Sequence, residues 1–521
     1  MSIYAVIGTP PEIQAYALAK YSRSAQRLRE SIDELSTQRA EQFLNTFYFQ
    51  YGHGSIADLA HIALAIEDIS MLAAFYVVDE PLWDGQERSS RYQDFRKSGF
   101  YFPPQLPEDS PERDAYARAL EYLLGRYEFF SAELTEVLKQ VQPRPADMTP
   151  ATYTRTLRAR AFDVARYLLP LATRTSVGQV TNARVLEQQI SRLTGHAIAE
   201  LRNIGEGIRQ ACEMPAHNFI EGKLRAAWEA GELNQEQIAQ QRRALEEAGV
   251  LGISAAPTLV KYTAPEVYGP HTLQTARESL GPRLQALPEA PDLAATVALI
   301  APEADLLDAC AASLLYLTDI QGRSYSQLQP LAQALAEDEK RDLFTRTLEQ
   351  RGEHDDWLRL HRLGYLLAFD LLVDFGALRD LHRHRRCVQI IPDLKLHLGF
   401  DDPAASFAAG LGPDGAALAE QKGLINAYRE AMAQAIETAR SFSVPEHAPY
   451  LLPLGARQRA LFKMDLAEAA YIIELRSGVT GHFSYRRVAY DMYRQLCQRY
   501  PYLAPAIRAT NPDEVVDLLR R

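Results

Sequence analysis

The chain has 521 residues, 47% hydrophobic and 24% charged, with a formal net charge of -11. That length exceeds one ordinary domain and the composition is that of folded globular proteins, which excludes a disordered chain, a fibre and a small stapled scaffold. The acidic balance argues against general nucleic-acid binding, which needs an excess of Lys and Arg against phosphates, but leaves room for a local basic pocket.

The first residues, from Met1 to Pro11, lack the basic start and apolar run of a signal peptide, and no apolar stretch approaches bilayer length, so a cytoplasmic protein without membrane spans is expected. Helical periodicity predicts helices over 12–49, 110–142, 183–212 and 222–248, and again over 303–350, 356–382, 413–441 and 465–499. Between them, closely spaced Pro and Gly mark 251–295 as a linker, which predicts domains at 1–250 and 296–521. Cys212, Cys310, Cys387 and Cys497 form no CxxC pair, so they read as reduced thiols, with neither a disulfide framework nor a zinc site suggested.

The two flanking segments pass through the same order of events, the mark of an internal repeat. Each has a polar turn followed by an apolar helix, then a charged motif, a Pro-rich gap and a Leu-Pro-Leu segment leading into a long helix. The landmarks are Tyr51 to Ser55, Ser89 to Tyr92 and Leu169-Pro170-Leu171 in the first copy. Arg351 to Asp355, Arg383-His384-Arg385 and Leu452-Pro453-Leu454 are their counterparts in the second.

Three constellations could carry chemistry. The run His382-Arg383-His384-Arg385-Arg386 closes an apolar helix. It is a solvated basic cap stabilised by the helix dipole, a His-x-His metal pair, or a clamp for phosphate or pyrophosphate built from planar Arg forks. In the run Gln86 to Tyr92, Ser89 and Arg91 would face the same way in an extended segment. They make either a polar turn or a small anion site, while Ser89 as nucleophile lacks base and acid partners. On the helix after Thr181, Arg184, Gln188, Arg192, His196 and Glu200 recur every four residues beside an apolar side. That stripe is either an exposed face with i,i+4 pairs or the wall of a cleft.

In this order the three constellations resemble the flavin-dependent thymidylate synthases. That family shows a His-x-Ser/Thr-x-x-Glu turn, then Arg-His-Arg, Asn-Glu-x-Ser-x-Arg-Tyr, Ala-Arg-x-x-Leu-Pro, an Asn-x-Arg helix start and a Leu-Arg. The first copy offers His53-Gly54-Ser55 through Asp58, Glu87, Ser89, Arg91, Ala165-Arg166, Asn182-Ala183-Arg184 and, with a one-residue gap, Arg192. Asp79, Glu80 and Pro81 stand where its Arg-His-Arg would be. The second copy keeps Arg383-His384-Arg385 and Leu475-Arg476, with Asp393 in place of the motif serine and Pro449 in place of the Ala-Arg arginine.

The resemblance implies an α+β, predominantly helical fold of two tandem thymidylate synthase-like domains, each with long helices and a small antiparallel sheet. It implies FAD as cofactor, NADPH and methylenetetrahydrofolate as co-substrates, and methylation of a uracil nucleotide, dUMP to dTMP. Glu87, Ser89, Arg91 and Arg166 would hold the nucleotide, and Arg476 or Arg192 would face the pyrimidine. His53, Ser55, Asn182, Arg184, Arg383, His384 and Arg385 would surround the flavin, and no metal is implied. The family site is a composite between subunits of a homotetramer, so a site where the halves meet and a homo-oligomer, such as a dimer resembling that tetramer, are expected. The displaced motif residues leave two alternatives: a related flavoenzyme acting on a different nucleotide or a nucleic-acid uridine, and a non-catalytic flavin- or nucleotide-binding homologue.

Overall fold

Twice along the chain, a strand runs into a short helix and a second short strand, and after two long helices a third strand runs into a final helix pair. The first copy comprises β1 (His61–Ser70), α1 (Met71–Val77), β2 (Asp84–Glu87), α2 (Pro111–Val141), α3 (Pro150–Ala165), β3 (Arg174–Asn182), α4 (Ala183–Thr194) and α5 (Ala199–Glu213). After β4 (Val297–Ile300), the second copy comprises β5 (Leu367–Asp374), α6 (Phe375–Leu381), β6 (Val388–Ile390), α7 (Pro403–Gln421), α8 (Leu424–Arg440), β7 (Arg457–Met464), α9 (Leu466–Ser477) and α10 (Phe483–Arg499). This is a computed structural model that describes residues 10–19, 54–91, 93–247, 251–267, 270, 293, 296–300, 305–318, 325–348, 367–513 and 518–519. His53, Tyr92 and the 351–355 landmark lie outside the described residues.

The sheets repeat the pattern. One has the order β1-β3-β2 and the other β4-β5-β7-β6, so β5-β7-β6 matches the first sheet and β4 is an added edge. β2 lies antiparallel to β3 with Glu87 opposite Val177. β5 lies antiparallel to β7, from Leu367 opposite Met464 to Asp374 opposite Arg457. Polar caps turn strand into helix at matching places. Asn182 accepts from the Val185 N–H at 3.0 Å, and Asp465 from the Glu468 N–H at 2.8 Å, each satisfying an orphan donor of the first turn.

Several helix boundaries differ from the periodicity. Of the described residues within 356–382, 367–374 are a strand and 375–381 a helix, and 356–366 lie outside the described residues. β5 lies between β4 and β7, and its last four residues are all buried, so that part is apolar on both faces and reads like a buried helix. The 54–59 turn likewise leads into strand β1 rather than an apolar helix. The span 183–212 breaks after Thr194, where a side chain at Gly195 would lie 2.3 Å from the Glu266 carbonyl oxygen. The span 413–441 is broken at Gly423, whose φ of 71° suits glycine. The spans 222–248, 303–350 and 465–499 are likewise divided, the last between α9 and α10.

By contact the chain forms two compact units that cut across the copies. The first comprises Met1–Ile69, Ala73–Arg88 and Thr175–Glu289; the second comprises Ser70–Leu72, Ser89–Arg174 and Ala290–Arg521. The first unit is built on a core including Ile62, Trp83, Leu186, Ile190, Leu201 and Leu259. In the second unit the two Leu-Pro-Leu landmarks pair with each other. Leu171 N–H donates to the Leu452 carbonyl at 2.9 Å and Leu454 N–H to the Leu169 carbonyl at 2.9 Å, with Pro170 opposite Pro453. The exchange continues from Ala172 to Tyr450 and from Gly455 to Tyr167. Each bond has its mirror between matching positions, as in a two-fold contact.

Candidate active site

The second unit brings together residues of both copies. Arg91, 7% exposed, donates from Nε to Asp163 Oδ1 at 3.0 Å, from Nη1 to the Tyr485 hydroxyl at 3.1 Å and from Nη2 to the Thr480 carbonyl at 3.3 Å. Asp163 lies on α3, Tyr485 on α10. Ser89 accepts from the Arg91 N–H, so the two form a tight turn rather than an extended segment with both side chains on one side. Arg166 follows α3, is 3% exposed, donates from Nη1 to Ser90 Oγ at 3.2 Å, and has Nη2 3.6 Å from Asp380 on α6. Its Nε and Nη2 make no hydrogen bond among the described residues.

Arg476, near the end of α9, also approaches Tyr485, its guanidinium carbon 5.5 Å from the ring centroid, against 6.0 Å for Arg91. Arg476 Nε donates to His384 Nε2 at 2.7 Å, and His384 Nδ1 lies 3.4 Å from Glu468 Oε1. His384 is thus not part of a solvated cap. It is buried, and burial lowers its pKa, with the Glu468 hydrogen bond opposing. Gln389 holds the turn by donating to the carbonyls of His382 and His384, and His382 Nδ1 lies 2.6 Å from the Gln389 amide oxygen. Arg383 and Arg385 flank this turn, half-buried.

The second unit also holds a cavity of about 280 Å³ lined among others by Tyr167, Asp374, Asp401, Tyr428, Phe483 and Ser484. Asp374 caps α6 through the Ala377 N–H at 2.7 Å and receives the Ser484 hydroxyl. Burial, and secondly the charge of Asp401, raise its pKa to about 6.

The first unit gathers a different set. Ser55 is exposed on the 54–59 turn, and Asp58 of that turn pairs with Arg184, whose Nε lies 2.7 Å from Oδ1. Ala183 N–H bonds the Ala60 carbonyl, placing the Asn182 cap beside the same turn. Arg192 gives Nε and Nη2 to Glu80 Oε1 at 2.9 and 2.7 Å, and Nη2 to the Tyr76 carbonyl. Glu80 stands where the motif histidine would be, so the charge reversal there is matched by an ion pair. The break after Thr194 separates His196 and Glu200 from Arg184 and Arg192, so the stripe is not one continuous face. Glu87 ends β2 in this unit, half-buried.

Asp163, Asp380, Glu468 and Tyr485 were not singled out in the sequence. Each is one polar or aromatic residue on an amphipathic helix, and only proximity to Arg166, Arg383 or Arg476 along the chain hinted at them.

The repeated unit of small antiparallel sheet and long helices is that of a thymidylate synthase-like methyltransferase. The chain belongs to the family described as thymidylate synthase complementing protein, whose profile matches residues 6–215 and again 300–502. It is similar to a UPF0159 protein of Chlamydia muridarum, 25% identical over 536 residues that cover 96% of this chain and 90% of that one. A UPF0159 protein of Thermoplasma acidophilum is 23% identical over 530 residues, 94% of each chain. Among solved structures, flavin-dependent thymidylate synthase ThyX of Helicobacter pylori, complexed with FAD and dUMP, matches with 14% identity and a TM-score of 0.23 over 39% of this chain and 89% of that one. Among the described residues no helix is long and apolar enough to cross a membrane.

Proposed function

We propose that this protein methylates a uracil nucleotide, dUMP to dTMP, in the cytoplasm, with FAD as cofactor, NADPH as reductant and methylenetetrahydrofolate as carbon donor. The observation that supports it is the grouping of Ser89, Arg91 and Arg166 of the first copy with Arg383, His384, Arg385 and Arg476 of the second in one compact unit. The motif losses are complementary along the chain, and that unit holds retained residues from both copies. The sequence domains 1–250 and 296–521, joined by 251–295, then divide the work of one site, and a homodimer would supply four copies of the fold.

In this reading Arg91 and Arg166 bind the nucleotide phosphate, with Ser89 beside them, while Glu87, which the resemblance also assigns to the nucleotide, lies in the first unit. Arg476 is held at Nε, so its two Nη groups are left to face a pyrimidine carbonyl. A fixed positive charge there stabilises the anionic ring that forms as the ring carbon attacks the carbon donor. Arg383 and Arg385 fit FAD as forked cationic donors for its pyrophosphate, while Ser55, Asn182 and Arg184, which the resemblance also assigns to the flavin, lie in the first unit. Bound reduced flavin supplies hydride.

The test is incubation of purified protein with dUMP, FAD, NADPH and methylenetetrahydrofolate. dTMP formation is expected, and a colourless preparation that takes up no FAD overturns the proposal. One observation favours a second substrate: Asp163 already pairs with Arg91, and Asp380 faces Arg166, which lowers the net charge offered to a phosphate. Flavin binding without dTMP, but with methylation of another uridine, would select it.

A further inference from the structure

An arginine that stabilises a developing ring charge must be held in one orientation and must keep its charge. We propose that Glu468 is the positioning residue for Arg476, acting through the tautomer of His384. This rests on Arg476 being the ring-facing arginine of the reaction proposed above.

Arginine Nε can only donate, so His384 Nε2, 2.7 Å away, must be its acceptor and carry no proton. The ring proton of the neutral imidazole is then on Nδ1, which faces Glu468 Oε1 at 3.4 Å. The imidazole and the carboxylate are both buried, with side chains 3% and 2% exposed. Glu468 Oε2 makes no hydrogen bond among the described residues, so His384 is the partner that this buried carboxylate has there. The alternative tautomer would set a ring N–H against the Arg476 Nε–H, and a doubly protonated ring would add cation against cation.

The first copy shows what happens without this arrangement. Three residues after its cap Asn182 stands Val185, where Glu468 stands three after Asp465. Its arginine, Arg192, is held by the carboxylate of Glu80, which cancels its charge. In the second copy a neutral imidazole holds Arg476 and leaves the guanidinium charge uncancelled. The Glu468–His384 pair thus distinguishes the arginine that serves the ring from the one that serves the fold.

The test compares the full-length, FAD-loaded wild type with Glu468→Gln, which keeps an acceptor oxygen, and Glu468→Leu, which does not. Nitrogen NMR of ¹⁵N-histidine-labelled protein, with His384→Gln to assign the signal, reads the tautomer. The Nδ1–H form is expected in the wild type and in E468Q, and its loss in E468L. dUMP turnover should fall roughly 10- to 100-fold in kcat for E468L, the scale of orienting residues behind a reactive group, with KM changed little and E468Q close to wild type. An Nε2–H tautomer in the wild type overturns the proposal even if E468L does not fold, as does an E468L protein with unchanged tautomer and kcat. If the wild type makes no dTMP, the proposed reaction fails separately, and the tautomer comparison still decides the role of Glu468.

Discussion

Arg192 and Arg476 both stand in the last turn of their helices, α4 and α9, one residue out of register from the caps, and their partners differ in charge. Glu80 is 6% exposed, and burial raises its pKa while Arg192 pulls it back down. Arg192→Ala should therefore cost stability, about 1–3 kcal/mol from the carboxylate left buried without its donor, and should leave catalysis near wild type. The sign with pH follows from the raised pKa. The contribution of Glu80 is fully present below its unfolded pKa of about 4.3 and is lost as pH rises through the folded value. The variant removes the group that lowers that value, so its deficit in thermal midpoint should widen from pH 5 to pH 8. Arg476→Ala should do the reverse: a midpoint close to wild type, and turnover lower by roughly 10²-fold or more. Equal loss of activity in both variants would mean that the first-copy arginine also serves the ring.

Both copies turn strand into helix at a polar cap, and at the end of β5 that cap is a buried acid. Asp374 caps α6, and its pKa of about 6 means that its contribution is complete below the unfolded value of about 3.9 and is lost as pH rises through 6. Asp374→Asn keeps a capping oxygen and removes the charge. It should match the wild type near pH 4 and exceed it by about 1–3 kcal/mol at pH 8, a difference that thermal melts across pH would show. A midpoint lowered equally at all pH values would mean that the Ser484 contact outweighs the charge. These junctions were only half legible in the sequence. The charged turn at 382–386 stood out because five donors stand together at the end of an apolar helix, and the other arginines because of their spacing within motifs. Strand β5 did not, because Leu-Leu-Val buried on both faces runs without a break into the apolar face of α6. The breaks after Thr194 and at Gly423 depend on a backbone approach and a left-handed φ, and periodicity alone does not register either. The partners Asp163, Glu468 and Tyr485 have no spacing signature, since their role depends on which helices pack together.

For the whole molecule, the compact units matter more than the order of the copies. Segment 89–174 of the first copy shares its unit with 290–521, joined by the reciprocal Leu-Pro-Leu bonds, by the Tyr428 hydroxyl donating to the Val164 carbonyl at 2.7 Å, and by Phe130 against Tyr428 at 4.8 Å. Tyr428 and Tyr450, set against Phe130 and Tyr101, and Leu452 and Leu454, whose backbone bonds that segment, are fully or almost fully buried in this unit. Each large side chain returned to water costs about 1.5–3 kcal/mol, so exposing three or four removes an amount comparable to the whole stability of a typical domain, about 5–15 kcal/mol. Residues 296–521 expressed alone should therefore aggregate or show no cooperative melt, and should bind no FAD. Co-expression with 1–250 as a separate chain should restore a soluble complex, a single sharp transition for this unit and flavin uptake, since both parts of the unit are then supplied. A 296–521 fragment that melts cooperatively and takes up FAD by itself would show that the second copy folds and binds without segment 89–174. The composite site would then have to be abandoned in favour of one built from the second copy alone.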